Sequence, residues 1–73
     1  MAEVKIAAEI AASVWRIQAR PGDTLAEGDT VLLLESMKME IPVTAPRAGR
    51  LAAILVAEGE AVEEGQTVAL LEA

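Results

Sequence analysis

The sequence predicts an all-β fold, a flattened barrel of two small sheets related by an internal pseudo-two-fold repeat. Short runs rich in valine, leucine and isoleucine alternate with glycine-containing turns, as in many β proteins. The turn glycines recur at one offset, since Gly22 and Gly28 are followed 37 positions later by Gly59 and Gly65. Two apolar runs also flank a short polar break at residues 35–40, which predicts an exposed hairpin.

The elements follow in order from the alternation of apolar runs and turns. The predicted segments are, in order, a strand beginning at 4–6, strand and connection at 8–12, a strand at 14–19, turns at 21–23 and 27–29, a strand at 30–34 and a strand at 41–43. Within the strand at 14–19, Trp15 and Ile17 are expected to share a half-buried face. From residue 48 onward the same succession is repeated.

The repeat predicts one domain over residues 1–73, with copies at 11–35 and 48–72. Two strand–turn–strand units are expected to bury their apolar faces against each other, with the hairpin and the termini at opposite ends. The predicted core consists of the matched apolar pairs Ile17/Ile54, Leu25/Val62, Val31/Val68 and Leu33/Leu70. Trp15 has Ala52 as its counterpart and is expected to fill the core or its edge.

Composition excludes several classes of function. The chain has 73 residues and neither cysteine nor histidine, so neither disulfides nor the usual zinc sites are expected, and no metal ligands are predicted. A net charge of −6 argues against a nucleic-acid or anionic-membrane partner. The N-terminus carries no basic segment with an apolar run, and the expected location is the cytoplasm.

One stretch suggests chemistry, and its residues are Glu35, Ser36, Met37, Lys38, Met39 and Glu40. A lysine at a hairpin tip keeps its amine in solvent, where another protein's active site can reach it. Methionines often fill gaps in a core, but on both sides of a tip residue they favour a soft contact surface. Glu35 has Glu72 as its repeat counterpart, so Glu40 is the better candidate for recognition.

This motif and its setting resemble the biotin/lipoyl attachment family, closest to the small, free-standing biotinyl attachment proteins of bacteria. In that family a Met-Lys-Met tripeptide lies on an exposed hairpin, and the turns of this chain fall where the family has them. Two positions depart from the pattern: Ser36 stands where alanine is usual, and Ser13 where glycine is common. No insertion interrupts the first half, so the protruding thumb of some members is expected to be missing.

The resemblance implies a flattened barrel-sandwich of two four-stranded antiparallel sheets, and a carrier with no catalytic residues of its own. A biotin protein ligase would join biotin to Nζ of Lys38 through an amide, with Met37, Met39, Glu40, Glu35 and Ser36 as flanking recognition residues. A biotin carboxylase would load carboxylate onto the biotin, and a carboxyltransferase would pass it to an acceptor such as an acyl-CoA. In isolation the protein is expected to be a monomer.

Two other functions stay open at this point. A lipoyl carrier would share the fold, although that family's lysine usually follows an aspartate and lacks the methionine pair. An unmodified barrel-sandwich interaction module would also share it, but such a module has no need of Met-Lys-Met. The initial Met1 and the lack of a linker rich in proline and alanine favour a complete protein.

Overall fold

The computed structural model describes residues 2–73, which form eight β-strands and contain no helix. The strands are β1 (Glu3–Ala7), β2 (Ala12–Ile17), β3 (Thr24–Leu25), β4 (Thr30–Ser36), β5 (Met39–Thr44), β6 (Gly49–Ile54), β7 (Ala61–Val62) and β8 (Thr67–Glu72). Across the part of the chain that is described, no helix could cross a membrane.

The strands form two four-stranded sheets in which every pairing is antiparallel. One sheet has the order β1-β8-β6-β3 and includes both chain ends, and we call it the terminal sheet. The other has the order β5-β4-β2-β7 and includes the predicted hairpin, and we call it the hairpin sheet. The predicted fold class is therefore confirmed.

The two halves of the chain interlock. Strands β2, β3 and β4 begin 37 positions before β6, β7 and β8, as their first residues show. The short strand of each half pairs with the other half, since β3 joins β6 and β7 joins β2. Each sheet therefore contains strands from both halves of the chain, and neither half can form its sheet alone.

The repeated turns explain why glycine and an acidic or amide residue recur together. The four turn glycines have φ between 84° and 100°, a region that other residues rarely adopt. Each turn is closed by a side-chain oxygen that accepts a hydrogen bond from the main-chain N–H three residues earlier, at 2.8–3.1 Å. The donor and acceptor pairs are Arg20–Asp23, Ala26–Asp29, Ala57–Glu60 and Glu63–Gln66.

The core lies between the two sheets and is wholly apolar over the described residues. The predicted pairs Val31/Val68 and Leu25/Val62 are buried, whereas Ile17 and Ile54 are half-buried and pack against the core. The largest fully buried side chains are Leu32, Leu34, Leu51, Leu71, Val14, Val31 and Val68.

The prediction that Leu33 and Leu70 belong to the core is wrong, because both are half-buried on the outer faces. The register between β4 and β5 shifts between Thr30 and Leu32, so Val31 is an extra residue that the partner strand does not match. Val31 and Leu32 are consequently both buried, and the alternation that follows turns Leu33 outward.

The prediction that Trp15 shares a half-buried face with Ile17 and fills the core or its edge is also wrong. Trp15 is 40% exposed, and the buried residue of β2 is Val14. The register between β2 and β4 shifts between Val14 and Arg16, so Trp15 is the extra residue of a bulge. The guanidinium of Arg16 lies over its ring, 4.9 Å from the ring centroid.

The hairpin and the chain termini lie at opposite ends of a body measuring 36 × 17 × 17 Å. Ala2 and Ala73 exchange two main-chain hydrogen bonds, of 3.1 and 3.0 Å. At the other end Ser13 pairs with Glu35 on one side and with Ala61 on the other. Because the chain runs from β7 through a short turn into β8, β8 begins near the hairpin and ends at the termini.

Candidate functional site

A two-residue turn joins β4 and β5 into a tight hairpin. Ser36 pairs with Met39, which leaves only Met37 and Lys38 in the turn. Their φ angles are 51° and 67°. Positive φ at both central residues defines a type I′ turn, whose twist matches that of the flanking strands.

This turn is built from residues that do not favour it. Type I′ turns normally take asparagine, aspartate or glycine, because a Cβ atom is crowded at positive φ. Met37 and Lys38 are the non-glycine residues with positive φ in the described chain, and each costs on the order of 1 kcal/mol. Favourable contacts elsewhere in the hairpin must offset this cost. Packing of the two side chains does not offset it, because both are exposed.

The side chains of the turn project into solvent. Met37 is 92% exposed and Met39 is 64% exposed, and Lys38 between them is exposed as well. Two neighbouring methionines left outside the core of a domain this small present apolar surface to a partner. An amine in this position is free to be acylated.

The turn is held from below by a ladder anchored in the core. Leu32 pairs with Val43 and Leu34 pairs with Ile41; the first three of these are buried and Ile41 is half-buried. Ser36 is half-buried at the base of the turn. Pro42 lies in β5, which is an edge strand, where the missing N–H leaves no ladder bond unmade. The backbone of Lys38 is therefore connected to the core through paired strands on both sides.

The two glutamates of the motif face each other across the ladder. Glu35 pairs with Glu40, both are exposed, and like charges in directly opposed positions are unfavourable. The same pair recurs at the far end of the molecule, where Glu72 pairs with Glu3. Since Glu40 also has a glutamate as its counterpart, the reason for preferring it over Glu35 no longer holds, and recognition by either stays a prediction.

The two acidic pairs differ in their next neighbour. In the terminal sheet Arg50 lies beside Glu72, and it brings a positive charge into the row. In the hairpin sheet Ser13 occupies the corresponding place beside Glu35. The acidic pair below Lys38 thus has no positive charge beside it in this row of the hairpin sheet.

The surroundings of Lys38 offer one kind of chemistry. No group of three or more aspartate, glutamate, histidine or cysteine residues in the described chain could hold a metal ion. No polar or charged side chain among these residues is buried. The arrangement can present a primary amine as a nucleophile or attachment point.

The turn conformation and the bulge at Trp15 are the features of this end that the sequence did not reveal. A signal for the first was present, since a hairpin break without glycine or asparagine forces ordinary residues into positive φ. The second had no such signal, because the terminal sheet has the same bulge at Ala52, the counterpart of Trp15.

Comparison with known proteins agrees with this geometry. A family model described as "Biotin-requiring enzyme" matches residues 3–71. The "Biotinylated protein TB7.3 homolog" of Mycolicibacterium smegmatis is 60% identical over 40 residues, which are 55% of this chain and 56% of that protein. The match thus spans little more than half the length of this relative.

Two solved structures contain a region of the same shape. The crystal structure of Kluyveromyces lactis urea carboxylase matches 99% of this chain with a TM-score of 0.93 and 32% identity, over 6% of its own length. A single-chain, multi-domain long-chain acyl-CoA carboxylase matches 93% of the chain with a TM-score of 0.87 and 31% identity, over 7% of its length.

Proposed function

The chain belongs to the biotin/lipoyl attachment family, and we propose that it is a biotin carboxyl carrier whose biotin is joined by an amide to Nζ of Lys38. The observation that carries this proposal is the turn itself. Met37 and Lys38 occupy an unfavourable backbone conformation that leaves both side chains in solvent. A strained and exposed turn is better explained by recognition than by stability.

The residues present fit a covalently attached arm. Acylation requires an accessible amine, and Lys38 provides one at the tip of a rigid ladder. The exposed Met37 and Met39 offer apolar contacts on either side of it. Glu35 and Glu40 add negative charge at the base, which would orient a ligase with a basic surface.

Biotin, when attached, supplies an atom that accepts and releases a carboxyl group. The chain's own contribution is to hold the attachment point away from the fold and to keep the arm at high local concentration near a bound enzyme. Because the termini lie at the opposite end, a docked enzyme can approach the hairpin without meeting them. On this proposal residues 1–73 act as one attachment domain.

The enzymes it serves are the second part of the proposal. We propose a biotin carboxylase as the donor and a carboxyltransferase acting on an acyl-CoA as the acceptor. Support comes from the likeness to the acyl-CoA carboxylase region, while the likeness to urea carboxylase marks a different acceptor as the competing possibility. Transfer of labelled bicarbonate to acyl-CoA or to urea, with the loaded chain added to each set of components, separates the two.

Attachment is tested by co-expression with a biotin protein ligase and measurement of intact mass. We expect a gain of one biotinyl group and a tryptic peptide that is no longer cleaved at Lys38. A ligase shown to be active on another carrier serves as the control. An unmodified mass under those conditions contradicts the proposal, and a gain of one lipoyl group with a lipoyl ligase would replace it with the lipoyl function.

A further inference from the structure

The outer face of the hairpin sheet carries an apolar patch close to the turn. Cross-strand register places Pro42, Leu33 and Arg16 in one row, and the bulge adds Trp15 beside Arg16. We call these four residues the outer shelf. Leu33 and Arg16 face outward because Leu34 and Val14, their inward neighbours in the ladder, are fully buried.

The shelf combines a flat ring with a hydrogen-bond donor. Trp15 is 40% exposed and is the only aromatic residue of the chain. The guanidinium of Arg16 lies 4.9 Å from the centroid of that ring and carries several N–H groups. A ligand with an apolar ring and a carbonyl oxygen matches this pair of groups.

The fold does not require these residues. The equivalent row of the terminal sheet contains Lys5, Leu70 and Ala53, with Ala52 in the place of Trp15. That sheet folds with the same register and the same bulge but has no aromatic ring on its outer face. The ring is therefore particular to the sheet that carries Lys38.

We propose that the outer shelf is a resting site for the head group of the biotinyl-lysine arm. This inference rests on the proposed attachment of biotin to Lys38. The ring of Trp15 packs against the bicyclic ring of biotin, and Arg16 donates a hydrogen bond to its urea oxygen. The contact is made within one molecule, so the occupant is the arm and not a second protein.

The arm has the necessary reach. Leu34 pairs with Val14, one residue before Trp15, and it lies four residues before Lys38. At a rise of about 3.3 Å per residue and a strand spacing of about 4.8 Å, the Cα atoms of Lys38 and Trp15 are roughly 14–17 Å apart. From the Cα of Lys38 to the biotin ring there are eleven covalent bonds, which extend to about 13 Å. The bicyclic ring itself and the side chain of Trp15 cover the remaining distance.

The contact is expected to be partial. A short flexible tether gives an effective concentration in the millimolar range, and a single ring contact is weak, so roughly half of the molecules would have the arm at rest. An arm held in this way remains available to a partner enzyme. It is also partly shielded from solvent between encounters.

Fluorescence of Trp15 tests this directly, because no other residue of the chain contributes tryptophan emission. The protein is compared before and after biotinylation, with intact mass recorded on the same samples. We expect the acrylamide quenching constant of Trp15 to fall about 1.5-fold on biotinylation, with a shift of emission to shorter wavelength. An unchanged constant in a sample shown by mass to be fully biotinylated overturns the resting site and leaves the carrier function intact.

The repeat supplies a matched control. A double variant with Trp15→Ala and Ala52→Trp moves the single tryptophan to the equivalent place in the terminal sheet, where biotinylation should leave quenching unchanged. Arg16→Ala in the otherwise native chain should reduce the effect on Trp15. If biotinylation leaves Trp15 unaffected but Trp15→Ala slows the ligase, the shelf is a docking surface for that enzyme and the inference fails. An unmodified mass instead contradicts the proposed function itself.

Discussion

The two ends of the described chain are built alike, but the hairpin end presents an exposed lysine at a two-residue turn. At the hairpin end β4 and β5 are joined through Met37 and Lys38, whereas at the other end β8 and β1 end at the chain termini. Each sheet has a pair of facing glutamates and a bulge at an equivalent valine. The scaffold is therefore shared, and the candidate function rests on a two-residue turn and the side chains beside it.

The largest effect is expected from breaking the shared scaffold. Leu34 and Leu71 are equivalent, and both are fully buried. Replacement of either by alanine should lower the free energy of unfolding by about 2–5 kcal/mol, a large part of the total for so small a domain. Urea denaturation of Leu34→Ala and Leu71→Ala measures this. A loss confined to one variant would show that the two halves are not energetically equivalent.

At the terminal end the backbone of Gly49 lies very close to that of Glu72, which predicts a smaller loss of stability at this end alone. A Cβ atom on Gly49 would collide with the carbonyl oxygen of Glu72 and lie 3.1 Å from its carbon. Gly49→Ala should therefore destabilise the fold by about 1–3 kcal/mol. The equivalent residue at the hairpin end is already Ala12. For Ala12→Gly we expect the free energy of unfolding to fall by only about 0.5–1 kcal/mol, because glycine is less favourable than alanine in a strand. Thermal unfolding of the two variants tests whether the clash occurs at one end only.

Relaxing the strained turn should have opposite effects on stability and recognition. Met37→Asn introduces a residue that tolerates positive φ, and we expect the free energy of unfolding to rise by about 0.5–1 kcal/mol. The same change removes an exposed apolar side chain, so the rate of biotinylation should fall. Denaturation and ligase kinetics on the one variant check both results. A slower ligase reaction without any gain in stability would contradict the strain argument.

The smallest effect concerns the acidic pairs. Glu35→Gln should stabilise the hairpin sheet by about 0.3 kcal/mol, because it removes repulsion from Glu40. Glu72→Gln should raise the free energy of unfolding by less, because Glu72 also has Arg50 beside it. The difference should shrink in high salt. Unfolding measured at low and high ionic strength tests this, and equal gains for the two variants would remove the distinction between the ends.

The sequence was enough to predict the sheets and the position of the hairpin. Both depend on patterns that survive local irregularity, such as the glycine turns 37 positions apart. Assignment of buried faces failed at Leu33 and Trp15 because a bulge shifts the alternation by one residue. Nothing in the identity of Val31 or Trp15 marks it as the extra residue.

The candidate site was predictable as a motif but not as a conformation. Lys38 and its neighbours could be identified from their order alone, whereas the type I′ turn depends on a register set by Leu34 and Ile41. The pairing of Glu35 with Glu40, and of Glu72 with Glu3, likewise requires the register. The row formed by Trp15, Arg16 and Leu33 depends on three strands that only the folded chain brings together.

On the proposed function, the hairpin turn, and not exposure of an amine alone, selects the lysine that is biotinylated. The chain offers a direct comparison, because its other lysine, Lys5, is also exposed but lies in β1 of the terminal sheet. Intact mass after reaction with biotin protein ligase should show one biotinyl group on Lys5→Arg and none on Lys38→Arg. Biotin found on Lys5 in the Lys38→Arg variant, or its loss in Lys5→Arg, would contradict the account.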